Sequence, residues 1–169
     1  MTTLIEHCYE ETMDNLASDL KWLNAKYENI KNASTTAKGN FGQDFTTMLL
    51  NQLGYPAVVV NGGIGDYDIV LTKLGITFEH KLATLDTNNC FQFNAIDKDK
   101  EYDYVFCLGV HPNELSFCIV DKDEVSYLTT RMTKAHGGFK MTKPAHKLMR
   151  VTEENLKNAI DALEKKAKG

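Results

Sequence analysis

Asp68, Glu79 and Lys81 are the residues whose types and spacing could do chemistry together. Residues 69–71 (Ile, Val, Leu) are a short apolar run, Gly75 supplies a turn, and residues 76–81 alternate apolar with polar. Side chains alternate faces along a strand, so Thr77, Glu79 and Lys81 share one side and Ile76, Phe78 and His80 the other. With the turn centred between Lys73 and Leu74, antiparallel pairing sets Asp68 across from Glu79, their Cβ atoms roughly 5 Å apart. Two carboxylates and an ammonium then converge on one sheet face. Like charges that close repel, so one carboxylate takes up a proton or a cation binds between them. Oxygen-only ligands favour a hard ion, which makes Mg2+ the expected cofactor, with Mn2+ as a substitute. With Lys81 orienting a water, such a site suits in-line displacement at a phosphodiester. The same residues could instead form a solvated hairpin whose charges make weak surface pairs.

The elements that must position these residues follow from patterning. Residues 3–30 read as one long helix, because Tyr9, Met13, Leu16, Leu20, Leu23, Tyr27 and Ile30 recur at steps of four and three. That stripe would cover the core or pair with a second subunit. Residues 32–37 have loop composition, and residues 40–53 form a helix with Phe41, Phe45, Met48, Leu49 and Leu53 on one face, ended by Gly54 and Pro56. Residues 57–60 are a buried strand and residues 61–65, rich in glycine, a bend into the charged hairpin. A polar loop at 84–89 precedes an expected short helix over 90–96. Residues 102–110 and 115–120 are strands joined by the turn 111–114, and Thr152 caps a final amphipathic helix. Helices around a small mixed sheet are the expected α+β architecture.

The chain has 169 residues, 43% of them hydrophobic and 25% charged, the composition of a globular domain with a real core. No apolar run reaches the roughly 20 residues needed to span a bilayer. The N-terminus has no basic stretch followed by an apolar one, so a secretory signal is not expected. Cys8, Cys90, Cys107 and Cys118 lack metal-ligand spacing, and Cys107 and Cys118 fall in strand-like runs. Buried thiols in a reducing cytoplasm are the expectation. The formal net charge is −4, yet residues 126–150 contain no Asp or Glu and carry Arg131, Lys134, Lys140, Lys143, Lys147 and Arg150. That segment is +6 and the remainder −10 (−4 minus +6), a segregation of the kind that binds polyanions.

With helix and hairpin placed, residues 38–121 resemble the PD-(D/E)xK nuclease superfamily, the restriction-endonuclease-like fold. The resemblance implies that Asp68 and Glu79 bind the metal, helped by the His80 backbone carbonyl, and that Lys81 activates the nucleophilic water. Residues 38–44 are similar to the family's first-helix motif; Gln43 stands where a Glu is usual, with Asp44 adjacent. Tyr67 replaces the usual Pro before the first Asp. Asp66 shares the Asp68 face and ranks below it, because Asp68 abuts the apolar run. Gln92 resembles the family's polar residue on the helix that follows, near Lys81 or a phosphate.

The resemblance is most similar to a small type II restriction endonuclease acting on double-stranded DNA as a cytoplasmic homodimer. It implies one nuclease domain over 1–169, with a helical extension at 1–35, a catalytic core at 38–121, a basic DNA-contact segment at 126–150 and a helix at 152–166. Lys134, Lys140 and Lys143 would meet phosphates, and Arg131 and His136 base edges. A structure-selective nuclease of the Holliday-junction-resolvase type and a non-catalytic DNA-binding module are the competing readings.

Overall fold

The charged hairpin closes in the expected register. A computed structural model of the chain describes residues 2–60, 66–132 and 137–169. Its elements are α1 (Leu4–Leu20), α2 (Glu28–Asn32), α3 (Thr35–Gln52), β1 (Ala57–Val59), β2 (Ile69–Leu71), β3 (Ile76–Thr84), β4 (Cys90–Ile96), β5 (Tyr104–Val110), β6 (Leu115–Asp121), α4 (Lys122–Leu128), β7 (Thr129–Arg131), β8 (Phe139–Pro144), β9 (Met149–Arg150) and α5 (Glu153–Lys168). Strands β2 and β3 pair antiparallel with Ile69 opposite Phe78 and Leu71 opposite Ile76, a turn centred between Lys73 and Leu74. The next pair outward is Asp68 and Glu79.

Two sheets make up the mixed α+β fold. The larger has the order β1-β2-β3-β5-β6-β9, and within it only β3 and β5 run parallel. The smaller has the order β4-β8-β7. Helix α3 lies on the face of β3 that carries Phe78 and His80. Gly42 makes that approach possible: a Cβ there would come 2.8 Å from His80 Cε1. The small sheet covers the opposite face, where Phe91 of β4 sits over Gly109 of β5. A Cβ on Gly109 would fall 2.9 Å from both the Phe91 ring and Leu148 Cδ2. The core between these layers buries Phe78, Phe91, Phe93, Phe117, Leu108 and Met141. Helix α5 adds Leu156 and Ile160, and Tyr55 Oη ties it down by donating to Asp161 Oδ1 at 2.7 Å.

Four expectations are corrected. The N-terminal helix stops at Leu20; residues 21–24 form a turn in which Asn24 takes φ 58°, and Trp22, 3% exposed, anchors the chain. Among its described side chains Leu4, Ile5, Tyr9 and Leu20 are exposed and Met13 is half-buried. Side chains 14–19 lie outside the described residues, Leu16 of the stripe among them. Residues 34–37, read as loop, begin α3: the Ser34 hydroxyl accepts from the Ala37 amide at 3.1 Å. On α3, the most buried positions are Gly42, Thr46, Thr47 and Leu50; of the expected stripe Phe45, Leu49 and Leu53 pack against the core while Phe41 and Met48 are exposed. The small residues take the closest approach to the sheet because a histidine lies beneath them. Residues 90–96, read as a helix, are strand β4. Phe91 and Phe93 alternate inward with Gln92 and Asn94 outward, a period of two that a helix cannot satisfy.

Thr152 caps α5 as expected, accepting from the Asn155 amide. Among the described residues no helix is long and apolar enough to cross a membrane. The glycine-rich bend at 61–65 lies outside the described residues.

Candidate active site

Strand β3 is the inner strand of the large sheet, held by β2 on one side and β5 on the other. Its two faces carry different chemistry. On the α3 face His80 is buried: its Nε2 lies 2.8 Å from Thr46 Oγ1 and its ring stacks on Phe106 with centroids 5.4 Å apart. Burial, with the nearby Lys81 charge adding, pulls its pKa down to about 3, so the ring is neutral and structural.

On the other face stand Glu79 and Lys81, two residues apart. Lys81 Nζ is 3.1 Å from Glu79 Oε1, and Lys100 Nζ approaches Glu79 Oε2 to 3.9 Å. The Glu79 side chain is only 3% exposed, and its Oε2 is buried without a hydrogen-bond partner. Burial raises the Glu79 pKa, the Asp68 charge raises it further, and the Lys81 ammonium opposes both. Asp68 fixes the local backbone: its Oδ2 accepts from the His80 amide at 2.8 Å, its own amide donates to the Phe78 carbonyl, and its carbonyl accepts from the Val60 amide. Tyr102 lies beside this cluster with a buried, unpartnered hydroxyl, its pKa pushed up to about 12 by burial and the Glu79 charge.

Glu79 Oε2 has the Lys100 ammonium at 3.9 Å and no hydrogen-bond donor, so its charge is only partly met and a further cation would complete it. Among the described residues no group of three or more His, Cys, Asp or Glu gathers around one point. The donor set on offer is thus two carboxylates, Asp68 and Glu79, cross-strand neighbours just before β2 and on β3. A hard ion that keeps several waters fits such a set.

The remaining sequence candidates scatter. Gln43 is half-buried on α3 next to Gly42, and among the described residues no hydrogen bond joins it to Asp68, Glu79 or Lys81. Asp66 is exposed. Gln92 is displaced from its expected role: Phe91 and Phe93 take the inward face of β4, so Gln92 points out and its amide donates to Asp86 Oδ2 at 3.0 Å. Arg131 is exposed, its guanidinium 5.7 Å from the Phe139 ring centre, and Lys140 is half-buried on β8. Lys143 pairs with Phe91 and so shares the inward face, where its charge acts on Cys107 and Cys118. Lys134 and His136 lie outside the described residues.

The architecture has a solved counterpart. The chain is similar in structure to a bacterial homing endonuclease, I-Ssp6803I, with a TM-score of 0.51 and 14% sequence identity, over 80% of this chain and 94% of that one. The likeness is one of fold: helices around a mixed sheet, in an arrangement that an endonuclease uses. No family model matches the chain, and no curated protein does.

Sequence reasoning missed Lys100, Tyr102 and the pairing of Cys107 with Cys118. The signal for the first two was faint: both precede β5, and only the parallel pairing of Glu79 with Val105 brings that end of β5 to the site. The thiol pairing needs the β5–β6 register, which the turn at 111–114 sets through the His111 amide donating to the Glu114 carbonyl.

Proposed function

We propose that the chain is a Mg2+-dependent endonuclease of the PD-(D/E)xK type that hydrolyses DNA phosphodiester bonds at defined sequences, as a type II restriction endonuclease does. The observation that carries this reading is Glu79: a buried carboxylate with one oxygen paired to Lys81 and the other without a hydrogen bond, 3.9 Å from Lys100, next to Asp68, on a sheet like that of an endonuclease. Asp68 and Glu79 would hold the ion with the His80 carbonyl. When bound, it would draw charge from the scissile phosphate and make a water a stronger nucleophile. Lys81, held by Glu79 Oε1, orients the attacking water and offsets the negative charge that grows on the phosphorus oxygens. Lys100, 40% exposed, extends that positive edge toward solvent.

Double-stranded DNA would reach the site along the basic segment, with Arg131 and Lys140 on phosphates or base edges. A two-fold recognition site is matched by a two-fold protein, and the exposed Leu4, Ile5, Tyr9 and Leu20 on α1 offer a surface for a second copy. The likeness to I-Ssp6803I favours, as a second reading, a homing-type endonuclease.

The test is incubation with Mg2+ and sequenced plasmid and genomic DNA, with mapping of the ends. Frequent cuts at one short palindrome support the restriction reading, and cutting confined to one locus supports the homing reading. DNA that is retarded but intact, with Lys81→Ala indistinguishable from wild type, removes the nuclease assignment.

A further inference from the structure

Cys107 and Cys118 are register partners on the antiparallel strands β5 and β6. Directly opposed residues in such a pair hold their Cα atoms roughly 4.5–5.5 Å apart. A disulfide closes over Cα separations of roughly 4.4–6.8 Å, so this register already meets its main geometric demand. The register sets the two thiols side by side on one face of the sheet, close enough for each to shift the other's ionisation. Cys107 is fully buried, while Cys118 keeps part of its surface. The pair sits in a row across three strands, Lys81 opposite Cys107 and Cys107 opposite Cys118, with Lys143 of β8 facing it from the small sheet. The other two cysteines have no such partner: Cys8 is exposed on α1, and Cys90 is opposed by Pro144. Neither Cys107 nor Cys118 has a part in phosphodiester chemistry.

We propose that Cys107 and Cys118 are a dithiol site for hydroperoxides, which close to a cross-strand disulfide in the folded protein. Cys118 attacks, being the accessible thiol. Its sulfur takes one peroxide oxygen and the O–O bond breaks. The departing hydroxide leaves as water with the thiol proton, and Cys118 becomes a sulfenic acid. The Cys107 sulfur then attacks the Cys118 sulfur: the S–S bond forms, the S–O bond breaks, and the second hydroxide leaves as water with the Cys107 proton. The peroxide gains two electrons and the two thiols lose them. Because the resolving thiol is already alongside, closure outruns further oxidation of Cys118.

The experiment treats the reduced native chain with hydrogen peroxide, alkylates the remaining thiols and maps the peptides by mass. The expected product is a peptide pair joined through Cys107 and Cys118, opened by dithiothreitol, formed while near-ultraviolet circular dichroism stays native. Cys107→Ala leaves Cys118 as a sulfenic acid trapped by dimedone, and Cys118→Ala leaves Cys107 reduced. Should a variant fail to fold, the wild-type map decides alone. Cys118 passing to sulfinic acid with Cys107 still alkylated overturns the proposal, as does oxidation confined to Cys8 and Cys90. The readout is covalent mass, so it stands whatever the DNA assays give.

Discussion

Lys81 Nζ stands 3.1 Å from Glu79 Oε1 because both leave the same face of β3, two residues apart. The ion pair fixes the ammonium where a phosphate would have to approach. Lys81→Met removes the charge while keeping the stem. Single-turnover cleavage of a plasmid should fall by roughly 10²–10⁴-fold, the range for loss of a positioned proton-transfer or charge-stabilising group. DNA affinity in a gel-shift assay should change little.

Glu79 has its pKa raised, chiefly by burial. A group raised on folding contributes stability below its unfolded pKa and loses it as pH rises through the folded one. As pH rises through that folded pKa, the metal-free fold therefore loses stability, because the buried carboxylate must ionise. Glu79→Gln should raise the metal-free melting temperature by roughly 2–4 °C for each kcal/mol relieved. It should also abolish the rise that Mg2+ produces in wild type, which mass action sets at about 2.7 kcal/mol when the ion is at 100 times its Kd. Differential scanning calorimetry with and without Mg2+ reads both.

His80 behaves in the opposite sense. Its folded pKa lies at about 3, below the ordinary 6.5, so the unfolded chain binds the proton first. Its contribution to stability is whole above about pH 6.5 and is lost progressively toward pH 3. Urea midpoints measured from pH 7 to pH 4 should fall in wild type and fall less steeply in His80→Phe. Thr46→Val, which removes the partner of Nε2, should cost about 1 kcal/mol at neutral pH.

Gly109→Ala places a methyl group 2.9 Å from Phe91 and Leu148. Overpacking of that degree costs about 1–3 kcal/mol, here because the small sheet must lift from the large one. Denaturant titration should show the loss. Gly42→Ala, pressed against His80 Cε1, should lose a comparable amount and also disturb the neighbouring Asp68–His80 backbone link.

Among the described cations of the basic segment Arg131, Lys147 and Arg150 are exposed, and Lys140 is half-buried on β8. Replacing Lys140 by Ala should weaken binding evenly across DNA sequences and lower the slope of log affinity against log salt by roughly 1. Fluorescence anisotropy at several salt concentrations measures that slope. A change confined to one sequence would instead mark Lys140 as a base contact.

The hairpin was legible because two local rules agreed: alternation set the faces and Gly75 set the turn, so Asp68 and Glu79 fell opposite each other. Strands β5 and β6 were equally plain, being long apolar runs around a Pro-Asn turn. Three features were not. Residues 90–96 contain two phenylalanines in alternation, but one short polar–apolar stretch reads as either helix or strand until a partner is known, and β8 lies about fifty residues away in sequence. On α3 the expected stripe holds at Phe45, Leu49 and Leu53, but the closest approach to the sheet falls to Gly42 and Thr46, because a buried imidazole needs a hydroxyl and room. Lys143 read as a surface cation, yet its pairing with Phe91 turns it inward, which composition cannot reveal.

The parallel pairing of β3 with β5 obliges the chain to travel from one end of the large sheet back to the other between residues 85 and 103, and β4 is made on that journey. Its partners β7 and β8 come from a second excursion, between α4 and β9. The small sheet is thus assembled from two detours whose endpoints are clamped by the large one. Detours of this kind can be lengthened, shortened or rewritten by evolution while the strand bearing Glu79 and Lys81 keeps its neighbours, so what the protein grips and what it does to it are free to change at different rates.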